Sequence, residues 1–309
     1  MNNKAGIFLL LTLIFYGSTI AAQNLSKDID SLVNELKTAG RNWNDFSVPL
    51  IKIGEPAVPA LIKNAEDKNL PVWNRRISII TLNNIHSPKW KKPALRILFD
   101  EEEDPGIRNH ATAGLTGFDL SSEKEKLWDL YQKTENQFYK SNLAGLLVNA
   151  DTVYAYQAYH ELYTTQDGHI QRNALLNLAK LKPGEAIYWY LNAIQNGSWM
   201  TANLASDSLI SSNNFNAREL INVYSQAENN EKIQWRIVYI LGQRKEPDLL
   251  PFLLEALKNK SWLVHNEAAV AISRYESGLV LPMLQELKKD SLDFVRQNAK
   301  WLMSNIKLD

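Results

Sequence analysis

Asp293-Phe294-Val295-Arg296-Gln297-Asn298-Ala299-Lys300-Trp301-Leu302-Met303 is the last copy of a segment that recurs along almost the whole chain. In this copy Arg296 is followed three residues later by the small Ala299 and seven residues later by the large apolar Met303. The corresponding markers are Arg75, Arg108, Lys140, Gln171, Ala202, Gln234, His265 and Arg296, spaced by 33, 32, 31, 31, 32, 31 and 31 residues. Three residues beyond each marker stand Ser78, Ala111, Leu143, Ala174, Ala205, Ile237, Ala268 and Ala299, mostly small. Seven beyond stand Leu82, Leu115, Leu147, Leu178, Leu209, Leu241, Ile272 and Met303, all large and apolar. At 100° per residue these three positions form one stripe of an amphipathic helix. A period of this length means stacked supersecondary units, each burying its apolar face against its neighbours.

Working outward, each marker helix (B) is preceded by a second apolar cluster (A). Examples are Val58, Leu61 and Ile62, then Leu95, Ile97 and Leu98, then Phe252, Leu253 and Leu257. Pro56, Pro88, Pro183 and Pro247 lie 18 to 20 residues before their markers, where each suits the first position of an A helix. Pro59, Pro93, Pro251 and Pro282 fall further in and are expected to bend those helices. Asp104-Pro105 reads as a cap and first-turn proline of a B helix, Ser87 as a cap before Pro88, and Ser122-Glu123-Lys124-Glu125 as a capping box. The expected fold is all-α: an α-solenoid, a superhelical stack of eight to nine antiparallel helix pairs. A divergent cap pair covers about 28–54 and the repeats about 55–307. No composition break or Gly/Ser-rich linker divides residues 23–309, which are therefore read as a single domain.

The first 22 residues are of another kind. One positive charge in Met1–Lys4, a largely apolar run over 5–20 and the small residues Thr19-Ile20-Ala21-Ala22 make a secretory signal peptide, with cleavage expected after Ala21 or Ala22. The address this implies is periplasmic or extracellular, with no stable membrane span after cleavage. The chain has no cysteine, so it has no disulfide framework and no thiolate metal site. Lys and Arg number 34, as do Asp and Glu. That balance argues against nucleic acid, whose binders show a basic excess.

Two stretches resemble HEAT repeats, in particular the short-unit type found in phycobilin lyases. One is Gly54-Glu55-Pro56-Ala57-Val58-Pro59-Ala60-Leu61-Ile62 with Trp73-Asn74-Arg75-Arg76-Ile77-Ser78. The other is Leu281-Pro282-Met283-Leu284-Gln285-Glu286-Leu287 with Asp293-Phe294-Val295-Arg296-Gln297-Asn298-Ala299. The resemblance covers roughly 45–307 and is weakest over 120–230, where Lys140, Gln171 and Ala202 replace the arginine. It implies a solenoid whose B helices line the concave face, and little about activity. Deoxyhypusine hydroxylases on this fold hold two irons with several His-Glu pairs. This chain has one, His160-Glu161, which is read as a surface pair.

No nucleophile elbow, zincin, P-loop or dinucleotide fingerprint is present. Glu101-Glu102-Glu103-Asp104 lacks the alternating oxygen ligands of a calcium loop and is read as a solvated turn. The chain is therefore expected to need no cofactor and to have no catalytic or metal-binding residues. The aromatic content, with nine Trp and twelve Tyr, points instead to an interface. The row five residues beyond the markers reads Ile80, Ala113, Gly145, Leu176, Asp207, Tyr239, Val270 and Trp301, apolar where water alone would select polar side chains. It either packs between adjacent B helices or forms a stripe for a protein or peptide partner. Trp235, Arg236, Tyr239 and Trp301 are the expected anchors, edged by Arg172, Asn173 and Asn142, since Trp, Tyr and Arg dominate interface energetics. Tyr154, Tyr156, Tyr159, Tyr163 and Tyr188-Trp189-Tyr190 are read as packing in preference to sugar-stacking faces. The function expected is an exported, non-catalytic adaptor or scaffold. The alternative is a solenoid that binds a glycan or cofactor, or an enzyme on that fold.

Overall fold

The computed structural model describes residues 24–212 and 216–305. The expected signal peptide lies outside them, as do residues 213–215, 306 and 307 of the expected repeats. All regular structure among the described residues is helical. The chain gathers into two compact units, one ending at Ala158 and the other beginning at Tyr159.

The first unit holds α1 (24–38), α2 (Asn44–Ile53), α3 (Val58–Glu66), α4 (Val72–Ile85), α5 (Lys91–Phe99), α6 (Pro105–Leu115), α7 (Lys124–Lys133), α8 (Gln137–Leu147) and the start of α9 (Thr152–Tyr163). The second holds the rest of α9, then α10 (Gly168–Leu181), α11 (Ala186–Asn196), α12 (Trp199–Ser211), α13 (Ala217–Gln226), α14 (Glu231–Arg244), α15 (Leu250–Ala256), α16 (Trp262–Ile272), α17 (Ser277–Leu287) and α18 (Asp293–Asn305). Within each unit an A helix packs on the B helix that follows it, as α3 on α4 or α15 on α16, and consecutive B helices pack side by side, as α4 on α6 and α14 on α16. This is the α-solenoid plan.

The apolar stripes meet in a continuous core in each unit. Ile77, Leu82, Leu98, Leu115, Leu127 and Tyr131 are buried in the first; Leu253, Leu257, Ala268, Ile272, Leu284 and Leu302 in the second. Each fully buried leucine or isoleucine contributes roughly 1.5–3 kcal/mol. Small residues set how closely the B helices approach. A Cβ at Gly242 of α14 would collide with the Ala271 methyl of α16.

The markers have a specific task. An α-helix leaves its last carbonyls without intrahelical partners. The marker side chain of the B helix reaches back to a carbonyl there or in the turn just after it. Arg75 Nε donates to Ala65 O at 3.0 Å, Arg108 Nε to Leu98 O at 3.0 Å and Gln234 Nε2 to Tyr224 O at 3.4 Å, each ten residues back. Gln171 Nε2 donates to Thr165 O at 2.5 Å, His265 Nδ1 lies 3.0 Å from Asn259 O, and Arg296 NH1 donates to Asp290 O at 2.8 Å, each six residues back. Lys140 places its ammonium 4.7 Å from the Tyr131 ring centre on the preceding helix. Ala202 alone among the markers has no polar side chain to do this.

Proline behaves differently from expectation at three positions. A single 3₁₀ turn precedes several A helices: Glu55–Ala57, Pro88–Trp90, Pro183–Glu185 and Pro247–Leu249. The α-helix proper therefore starts late, and Pro59, Pro93 and Pro251 fall within its first three residues, where no i−4 carbonyl awaits an N–H. Only Pro282 of the second set lies inside its helix. The Ser122 capping box is also not formed. Asp119 makes the turn there, accepting from Ser121 N at 3.0 Å and Ser121 Oγ at 2.6 Å. Asp104 and Ser87 do cap, accepting from Ile107 N at 3.0 Å and Lys89 N at 3.2 Å.

Glu103, expected in a solvated turn, is buried, and its two oxygens accept from Arg75 NH1 at 2.8 Å and NH2 at 2.5 Å. Burial acts to raise its pKa, but the Arg75 bond, the Asp104 N–H and the guanidinium charge outweigh it and hold the carboxyl below its ordinary value. Removing one partner of a buried pair leaves an uncompensated charge. We predict that Arg75→Ala lowers stability by about 3–5 kcal/mol in urea unfolding at neutral pH. Because the folded pKa of Glu103 is depressed, its contribution is complete above the unfolded value near ~4.3 and is lost as pH falls through the folded one. The difference between parent and variant should therefore shrink on acidification through that window; a constant difference would contradict the assignment.

Candidate functional site

The five-beyond row answers the question posed by the sequence. None of its eight residues is buried: Ala113, Leu176, Asp207 and Trp301 are exposed, and Ile80, Gly145, Tyr239 and Val270 are half-buried. Sideways packing of B helices does not consume it. That packing uses a neighbouring set of residues instead, one and two beyond the markers. Asn142 Nδ2 donates to Asn109 Oδ1 at 2.8 Å, Arg236 NH1 to Asn203 Oδ1 at 2.6 Å, and Trp235 Nε1 to Glu267 Oε2 at 3.1 Å. Each bond joins one B helix to the next.

Three of the expected anchors come together on α14, and they recruit a fourth residue that sequence reasoning missed. Trp199 opens α12 directly after the cap Ser198, whose Oγ accepts from Thr201 N at 3.3 Å. Its ring lies nearly parallel to that of Trp235, with centres 6.1 Å apart. Trp235 in turn faces Tyr239 at 6.0 Å. The Arg236 guanidinium lies 4.6 Å from the Trp199 ring centre and 5.5 Å from that of Trp235, within cation–π range. Trp199 is 61 % exposed, whereas Arg236 is 5 % exposed. Besides Asn203, Arg236 NH1 donates to Ser206 Oγ at 3.3 Å. Both acceptors are neutral, and no described carboxylate forms an ion pair with it. Burial pulls its pKa below the ordinary guanidinium value, while the more distant charge of Asp207 acts the other way.

A cleft of about 240 Å³ opens beside this cluster, lined by Gln195, Trp199, Ala202, Asn230, Lys232 and Arg236 among others. It lies where the marker is alanine. Gly197 shapes its edge: a Cβ there would collide with the carbonyl oxygen of Ala193 and the Thr201 hydroxyl.

The remaining predicted residues lie elsewhere. Trp301 is 47 % exposed on α18, two B helices beyond α14. Arg172 is exposed on α10, and Asn173 accepts from Asn177 Nδ2 at 3.1 Å on the same helix. Asn142 belongs to the first unit, in the bond to Asn109. His160 packs edge-on against Trp189 at 5.4 Å, and among the described residues no three His, Asp or Glu side chains converge to hold a metal. The tyrosine-rich segment is largely packing. Tyr154 stacks on Trp128 at 4.9 Å, Tyr159 is buried, and Tyr163 donates to Asn192 Oδ1 at 3.1 Å. Burial pushes the Tyr159 and Tyr163 hydroxyls up to about 12. Tyr188, 62 % exposed, is the exception.

Residues 217–304 match the family described as HEAT repeats. No curated protein matches the chain. Among solved structures, human deoxyhypusine hydroxylase in complex with glycerol is similar at 15 % identity, over 93 % of this chain and 99 % of that one, with a TM-score of 0.37.

The close contact at Gly197 makes a direct test of this local geometry. Gly197→Ala should destabilise the protein by about 1–3 kcal/mol, because the backbone at Ala193 has to move. Thermal unfolding of the variant measures this, and an unchanged midpoint would contradict the contact.

Proposed function

We propose that this protein is an exported, non-catalytic adaptor that binds a protein or peptide partner along its B-helix face. The observation that supports this most strongly is the accessible row on that face, where Leu176, Tyr239, Val270 and Trp301 recur at the repeat period without being buried by neighbouring helices. Exposed Trp199 and Trp262, at 61 % and 69 %, stand at the openings of B helices in the same unit. Large aromatic side chains held on a rigid scaffold lose little entropy on binding and contribute disproportionately to interface energy. The recurrence also suits an extended partner, which can meet one anchor per repeat. We further assign 45–307 as short-unit HEAT repeats of the phycobilin-lyase-like type and 1–22 as a cleaved signal peptide, which places the adaptor in the periplasm or outside the cell. No described helix is long and apolar enough to cross a membrane.

The test is crosslinked capture of the mature chain, residues 23–309, beside a Trp235→Ala/Tyr239→Ala/Trp301→Ala variant shown by circular dichroism to be folded. A partner enriched at least tenfold with the parent and lost with the variant is the expected result. A partner retained by the variant would remove the chosen anchors, and none above background would overturn the adaptor reading.

A further inference from the structure

We propose that the cleft between α11, α12 and α14 is a carboxylate-binding pocket that anchors an acidic side chain of an extended partner peptide. Arg236 and Lys232 would hold the anion, and Trp199 would cover the adjoining apolar atoms. The proposal rests on the adaptor reading and specifies the chemistry of its partner.

Three observations carry it. The first is a buried charge paired only with neutral groups. Arg236 is 5 % exposed, its NH1 donates to Asn203 and Ser206, and no described carboxylate forms an ion pair with it. A guanidinium buried in this way is stabilised by an incoming carboxylate, which its fork of donors is shaped to receive. The second is the cleft itself. Both Arg236 and Lys232 line it, and no acidic residue does. The space exists because the marker is Ala202. At Gln171 and Gln234 the same position carries an amide that reaches back to the preceding carbonyls. The third is continuity. The cleft shares Asn230 with two more open hollows that run past Gln195, Asn196, Gln226 and Asn229, with Glu228 as their one acidic residue. Side-chain amides offer both donors and acceptors, matching the N–H and C=O groups of an extended main chain. A lone small anion would have no use for that trough.

The experiment follows the indole N–H resonances of Trp199 and Trp235 in the mature chain by NMR during titration. The probes are acetyl-Glu-Phe-Glu-amide, its neutral counterpart acetyl-Gln-Phe-Gln-amide, and sodium glucuronate. The acidic peptide should shift the Trp199 resonance saturably and bind at least tenfold more tightly than the neutral one. Ala202→Gln, which rebuilds the amide carried by neighbouring repeats and occupies the cleft while keeping Arg236 in the chain, should not lower the melting temperature and should weaken binding at least tenfold. Lys232→Gln, at an exposed position, should weaken it several-fold. Equal binding of the two peptides, no saturable shift, or full binding by a folded Ala202→Gln variant would overturn the proposal. Glucuronate bound in preference to the peptide would overturn the peptide assignment. The adaptor reading fails separately: if Ala202→Gln still captures the protein partner, only the pocket falls, and if the parent captures none, the wider reading falls.

Discussion

Most repeats are closed by one side chain. The marker on the B helix donates to a carbonyl at the end of the A helix, or in the turn just after it, and so ties the two helices together. Arg75, Arg108 and Gln234 reach ten residues back; Gln171, His265 and Arg296 reach six. Three residue types perform the same task because the requirement is a donor on a long or ring-bearing side chain, whatever its charge. Each such bond contributes about 0.5–1.5 kcal/mol net, repeated from one unit to the next.

This constraint divides the B helix into faces. The marker and the residues three and seven beyond it belong to the core and to the A helix. The residues one and two beyond it link one B helix to the next, through pairs such as Asn109 with Asn142 and Asn203 with Arg236. The row five beyond is left over, and it is apolar and accessible. Function on such a scaffold is written in what closure and stacking do not use. The exception at Ala202 fits the same logic: where the closing side chain is missing, its volume becomes a cleft.

Much of the fold was legible because helical periodicity and marker spacing both come from repeated local geometry. The misreadings came from non-repeating detail. Pro59, Pro93 and Pro251 look like helix-interior prolines until the preceding 3₁₀ turn is known, and that turn delays the α-helix by three residues. Glu103 sits in an acidic run that reads as solvated, and only the approach of Arg75 from another repeat buries it. Trp235, Arg236 and Tyr239 were legible as a group because they share one helix. Trp199 was not, because it lies three residues before its marker, on the preceding B helix, and meets Trp235 only when α12 and α14 stack. The same holds for Asn203. Trp301, Arg172, Asn173 and Asn142 follow the same register but sit on other helices, so register alone does not bring them to one site.

Where the marker is polar, its side chain closes the repeat. Urea unfolding of Arg108→Ala and Gln171→Ala, one from each unit, tests it most directly, because both remove the donor and neither residue takes part in a buried ion pair. Each variant is expected to lose about 1 kcal/mol, the net contribution of one partly buried hydrogen bond. Two variants as stable as the parent would show that the repeats are held by apolar packing alone, and would contradict it.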